Sequence, residues 1–289
     1  MSEKYAAATR AARAPAEPLP GLACDCHLHV FGDPEKFPDR HPNPVHRSLE
    51  ASVDDALRMH REVGFGRGVL VQPANYVTDH SYLLEALARV PRGRYRATGI
   101  IDDSVSDPEL ERLHQAGMRG VRFNFLRNFA MAPTPEVFRR SIDRIRQFGW
   151  YAKIFIGADE LPDYIDTFRK ITSVAMLIDH MGRIKPSHPA QRLVVDLLER
   201  ENVWMLLGNG HRISAQPSGW DDIVPLGQKL YSVAPDRCIF GTDWPHTHSQ
   251  KDGGGPEEAE LIELLYRYLP DAKARRAVLV DNPARLHGF

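Results

Sequence analysis

Short apolar runs alternate with amphipathic stretches from residue 22 to the end of the chain. The runs are LACDCHLHVF (22–31), GRGVLVQP (66–73), RATGIID (96–102), RGVRFNF (119–125), WYAKIFI (150–156), VAMLIDHM (174–181), NVWMLLGN (202–209) and CIFGTDWP (238–245). Each has the length and continuous hydrophobicity of a strand buried on both faces. Between them lie VDDALRMHREVG, SYLLEALARV, PELERLHQAG, PEVFRRSIDRIRQFG and AQRLVVDLLERE, which carry apolar positions at helical spacing. Ser52, Thr78 or Ser81, Ser106 and Thr134 stand where N-caps are expected. Gly64, Gly117 and Gly149 stand where a helix ends in the left-handed conformation.

Eight βα units with no all-β or all-α block predict parallel strands joined by right-handed crossovers, and eight is the number that closes a barrel. The first strand ends in His-Leu-His-Val-Phe, not in the Gly-rich phosphate turn of an open doubly wound sheet. The expected fold is therefore α/β, a single (β/α)8 TIM barrel over residues 21–289. Residues 1–20, Ala- and Pro-rich and without an apolar h-region, are expected to form a flexible or extended arm. KDGGGPEE (251–258) reads as a loop after the eighth strand.

Charge changes the picture mainly by exclusion. Of 289 residues, 37 are Lys or Arg and 38 Asp or Glu, a net charge of −1. Nothing suggests a nucleic-acid or membrane partner, and no apolar run approaches the ~18 residues of a membrane span. Three cysteines, Cys24, Cys26 and Cys238, do not make a disulfide framework, so a reducing cytoplasm is the expected location. Oligomeric state is not legible.

In a barrel, chemistry sits at the C-terminal ends of the strands. His27 and His29 end the first strand, His180 the sixth and Asp243 the eighth, so three imidazoles and a carboxylate are expected to converge at one mouth. Asp25, two residues before His27, is placed to orient an imidazole; Asp179 alternates away from His180 and reads as structural. Arg122, Arg183 and Arg212 end or follow the fourth, sixth and seventh strands. Guanidinium forks match carboxylates, so the partner is expected to be a small anionic molecule. His46, Arg127 and His211 are further candidates, and His246 and His248 lie on the loop after the eighth strand.

The motifs DCHLHVFG, GMRGVRFNF, IDHMGR and GTDWPH resemble the amidohydrolase superfamily, in the branch of pyrone-dicarboxylate, muconolactone-type and sugar lactonases. The resemblance covers nearly the whole chain and implies a hydrolase acting on a carboxylic ester, in aromatic or sugar-acid catabolism. It implies Asp243 as general base on a water, with His180, His27 and His29 donating to the carbonyl oxygen. At four positions, His46, Ala74, Asn128 and Phe155, the chain departs from the pattern the branch leads one to expect. The fifth-strand His of mononuclear zinc members is absent and Lys153 is the only possible bridging lysine. No cofactor is therefore favoured; zinc is the alternative, on His27, His29 and Asp243. Rival readings are a sugar-acid lactonase, a lactone isomerase, a zinc-dependent decarboxylase and a non-catalytic binding protein.

Overall fold

The computed structural model describes residues 3–44 and 48–289, except for the side chains of 250–252. All eight apolar runs form strands: β1 (Cys24–Leu28), β2 (Arg67–Val71), β3 (Tyr95–Gly99), β4 (Met118–Asn124), β5 (Tyr151–Phe155), β6 (Met176–Ile178), β7 (Val203–Leu206) and β8 (Cys238–Ile239). They pair in parallel and in sequence order in one sheet. The sheet closes on itself where Cys26 N donates to Phe240 O (2.8 Å), Asp243 N to His27 O (2.8 Å) and His29 N to Trp244 O (2.7 Å). The result is the (β/α)8 barrel.

Helices follow the strands as the periodicity requires. Ser52 caps Val53–Val63 through a reciprocal box with Asp55, and Ser106 and Thr134 cap their helices. The cap before Ser81–Arg89 is His80, because Ser81 is already the first helical residue. Gly64 and Gly117 are left-handed C-caps, whereas Gly149 lies past the cap Gln147 in the turn that follows. Strand outer faces and helices share one continuous apolar core. The barrel interior has its own cluster, including Cys24, Cys26, Val69, Tyr151, Leu177 and Ile239, against which Leu286 and Phe289 of the C-terminal tail pack. The three cysteines are free and buried. Among the described residues no helix is long and apolar enough to cross a membrane.

The N-terminal segment is not a loose arm. Lys4 bridges to Glu50, Ala6–Thr9 forms a short helix, and Tyr5, Ala7 and Ala8 are buried. Arg58, on the helix Val53–Val63, donates to Ala8 O (2.7 Å) and Arg10 O (3.0 Å). In turn Arg10 donates to Gly255 O (2.9 Å) and Pro256 O (2.5 Å), and Arg13 pairs with Glu257 and Glu263. The segment straps the first barrel helix to the last helix of the ring, Glu258–Tyr268, across the β8–β1 closure.

Candidate active site

The first strand does not keep a strict two-residue alternation. Its pairing with β2 shifts register between Asp25 and Leu28, and an irregularity of that kind re-aims the side chains beyond it. Asp25 consequently does not orient an imidazole of the mouth. It accepts from Thr242 N (3.0 Å) and Thr242 Oγ1 (2.6 Å) and faces His60 Nε2 (3.3 Å), tying β1 to the eighth-strand chain. The orienting carboxylate is Asp179, whose Oδ1 lies 3.0 Å from His27 Nδ1. Alternation fails here as well, because β6 ends at Ile178 and the chain turns through positive φ at His180 (48°) and Met181 (54°).

Four expected groups do converge. His27 Nε2 is 3.2 Å from His29 Nε2, and Asp243 Oδ1 is 3.5, 3.4 and 3.9 Å from Nε2 of His27, His29 and His180. Hydrogen-bond partners fix the tautomers. The Val71 carbonyl can only accept, so His29 Nδ1 donates to it (2.7 Å); His27 Nδ1 likewise donates to Asp179. As neutral rings, both turn a bare Nε2 lone pair toward Asp243. His180 is the opposite case: Asn209 Nδ2 donates to its Nδ1 (3.0 Å) and to Asp243 Oδ2 (2.6 Å). That leaves the proton on His180 Nε2, pointing toward the space beside Asp243 and Asp179.

Burial pushes the His27 imidazole down to about 3 and His180 well below its ordinary value, with Asp179 opposing in both cases. For Asp179 and Asp243 burial alone would raise the carboxyl. The groups that face them outweigh it, His180 foremost for both, with His27 Nδ1–H and Lys153 beside Asp179, and hold each well below the usual range. The site therefore pairs ionised carboxylates with the neutral imidazoles of His27 and His180. Lys153 Nζ lies 3.1 Å from Asp179 Oδ1 beneath the mouth.

Arg122 and Arg212 line the mouth with His29, His180 and Asp243. Arg122 sits 4.3 Å above the Phe155 ring with Nη2 3.6 Å from Asp179, and its buried Nε has no hydrogen-bond partner among the described residues. Arg212 Nη1 is 3.5 Å from Asp243 Oδ2. Arg183 stacks more distantly on Phe155, at 5.7 Å, and its half-buried guanidinium is perturbed first by burial and then by Arg212. Asp179 and Asp243 thus face Lys153 and three guanidinium groups, an excess of positive charge suited to an anion.

Residues 24–289 match the amidohydrolase family model. The chain belongs to the amidohydrolase family. It is 30% identical over 282 residues to a 2-pyrone-4,6-dicarboxylate hydrolase of Comamonas testosteroni, covering 93% of this chain and 91% of that protein. To a 4-sulfomuconolactone hydrolase of Rhizobium radiobacter it is 33% identical over 277 residues, covering 93% and 91%. A solved structure described as a putative 2-pyrone-4,6-dicarboxylic acid hydrolase from Pseudomonas putida superposes with a TM-score of 0.78 at 27% identity, over 94% of this chain and 99% of that one.

Within this amidohydrolase the weaker candidates scatter. Arg127 is exposed and paired with Asp163 (2.7 Å). His211 packs against Trp220 and His246, and His246 is buried on Glu258 (3.0 Å). Of the loop histidines, His248 lines the mouth. His46 lies outside the described residues. Sequence reasoning missed Asn209 and misplaced Asp179. For Asp179 a signal existed in its neighbour, since a strand-ending Asp-His pair can put both side chains inward once the backbone turns left-handed.

Proposed function

We propose that this amidohydrolase opens a carboxylated lactone, with Asp243 taking a proton from the attacking water and His180 Nε2–H donating to the carbonyl oxygen as it becomes an oxyanion. The carrying observation is Asn209, which by donating to both Asp243 and His180 sets one as an ionised acceptor and the other as a donor. A donor aimed at developing charge contributes about 3–4 kcal/mol in comparable enzymes. Asp243 then returns its proton to the leaving oxygen, which becomes the hydroxyl of the ring-opened acid. The tautomers reassign His27 and His29, which present lone pairs and do not donate to the carbonyl. Arg122 and Arg212, with Arg183 behind, hold the substrate carboxylate. Both curated relatives are named for hydrolysis of an acidic substrate, which supports an anionic ring.

The bare Nε2 atoms of His27 and His29 and Asp243 Oδ1 face one another at 3.2–3.5 Å. Three lone pairs at that spacing repel unless a cation lies among them. The edges match a tetrahedral site with bonds of roughly 2.0–2.1 Å, whose ligands stand ~3.4 Å apart. Atoms of His27, His180 and Asp243 also lie within 4.8 Å of one another, but Asn209 leaves His180 Nε2 protonated and so unavailable as a ligand. His27, His29 and Asp243 therefore fit a divalent ion, which would supply Lewis-acid polarisation. The expectation of a metal-free site rests on the absent fifth-strand His, where Phe155 stands, and on nearby arginines that oppose a dication. The donor geometry weighs against it, while Arg122 and Arg212 at the mouth weigh for it. Metal analysis of purified protein decides: about one zinc per chain, its removal abolishing turnover, is the outcome the geometry favours. Full activity after exhaustive chelation means that a proton holds the three groups together.

The test of function is kcat/KM for matched lactones differing by one carboxylate. The anionic member is expected to lead by at least about thirtyfold, and Arg122→Met, Arg183→Met and Arg212→Met should each erode that lead. Exposed Arg139 supplies the control, Arg139→Met. A product heavier by one water marks hydrolysis, and an unchanged mass marks an isomerase. Equal rates for the two lactones would make this a neutral-lactone enzyme.

A further inference from the structure

The space directly over Asp243 is small, about 30 Å³, room for a water or two. A second cavity of about 340 Å³ adjoins it, and Arg122 and Ala74 belong to the walls of both. That volume is in the range of small-molecule sites. Its walls are the ends of β3 and β4 and the segment leading into the helix Pro135–Arg146; Val77, Ile100, Ile101, Met131, Pro133 and Val137 make it largely apolar. The partition between the two spaces is apolar too, with Ala74 and Met131 packing on a cluster of Leu126, Phe129 and Phe155.

Arg122 stands between these spaces. It is only 8% exposed, so its charge calls for a partner, and the Asp179 carboxylate oxygen it faces lies 3.6 Å away, beyond a good hydrogen bond. A carboxylate on the guanidinium, which borders both spaces, would anchor a molecule whose remainder meets water-sized room on one side and a ligand-sized apolar annex on the other. We infer that the substrate is a carboxylated lactone bearing an apolar substituent, alkyl or aryl, which occupies this annex while Arg122 holds the carboxylate. The ring-opening part of this inference rests on the lactonase reading; the annex itself does not.

The experiment has a binding arm and a turnover arm. Calorimetry with full-length protein measures Kd for 2-alkylsuccinates from methyl to hexyl, open-chain dianions that need no turnover. Each methylene should tighten binding about threefold to fourfold until the annex is full, the gain from burying one CH2. Val137→Trp and Met131→Trp, filling the annex from two sides, should flatten that dependence. Comparing long with short ligands inside each variant cancels any loss of folded protein. Kd values that do not change with chain length in the wild type overturn the annex, whatever the variants do. So does a chain-length dependence that both tryptophans leave intact. In the turnover arm, alkylated carboxy-lactones are assayed alongside. Chain-length-dependent binding without hydrolysis of any of them removes the lactonase reading and leaves the annex standing. Hydrolysis with length-independent binding does the reverse.

Discussion

Asn209 adopts φ 60°, a left-handed conformation that Asn tolerates better than most residues. From there one amide group donates to both Asp243 and His180. Asn209→Leu keeps the size but removes the donor. His180 should then lose its single Nε2–H tautomer, which ¹⁵N imidazole spectra read directly, and kcat should fall about tenfold to a hundredfold. Asn209→Ser, with one short donor, should fall between. None of this was legible beforehand, since Asn209 looked like the tail of an apolar strand. His27, His29, His180 and Asp243 were legible because strand ends in a barrel share one mouth. Asp25 and Asp179 exchanged roles because alternation holds only while the ladder is regular, and both lie where it is not.

At the level of elements, the eight strands could be read because buried parallel strands are continuous apolar runs, although β6 and β8 proved shorter than their runs. The N-terminal segment was misread: Ala- and Pro-rich composition resembles a linker, and only the structure shows Arg10 and Arg13 reaching the last helix of the ring. Arg10 also contacts buried Glu258, which holds His246, two residues before the mouth residue His248. Arg10→Met should therefore raise KM severalfold while kcat stays within about twofold, with a fall in Tm from the lost hydrogen bonds. Arg10→Lys should restore part of the KM, since an ammonium reaches Glu258 but cannot span both carbonyls.

Over the whole molecule, burying neutral histidines makes stability depend on pH. His27 is pushed down to about 3, and burial also holds His180 and His287 well below the ordinary value. The unfolded chain takes up protons near pH 6.5 that the folded chain refuses, so this contribution is full above pH 6.5 and lost as pH falls toward the folded values. The depressed Asp179 and Asp243 add loss of the same sign, but only below about pH 4. Each such histidine costs on the order of 1 kcal/mol between pH 7.5 and 5.5. Calorimetric Tm should accordingly drop by several degrees over that interval. His287, whose ring nitrogens have no hydrogen-bond partner among the described residues, isolates one share: His287→Phe should flatten the slope.

The shortest ladder in the sheet belongs to β8, which contributes two residues, and the chain beyond it meets β1 through a few main-chain bonds. His27 and His29 stand on one lip of that seam and Asp243 on the other. Parting the lips by an ångström or two would separate acceptor from imidazoles while nearly all the helices stayed folded, and such sub-global openings cost less than unfolding. The enzyme is thus hinged at its proposed reaction centre. On warming, catalysis should fade before the fold does, and a ligand or ion spanning the lips acts as a stitch, lending the barrel endurance in proportion to how tightly it is held.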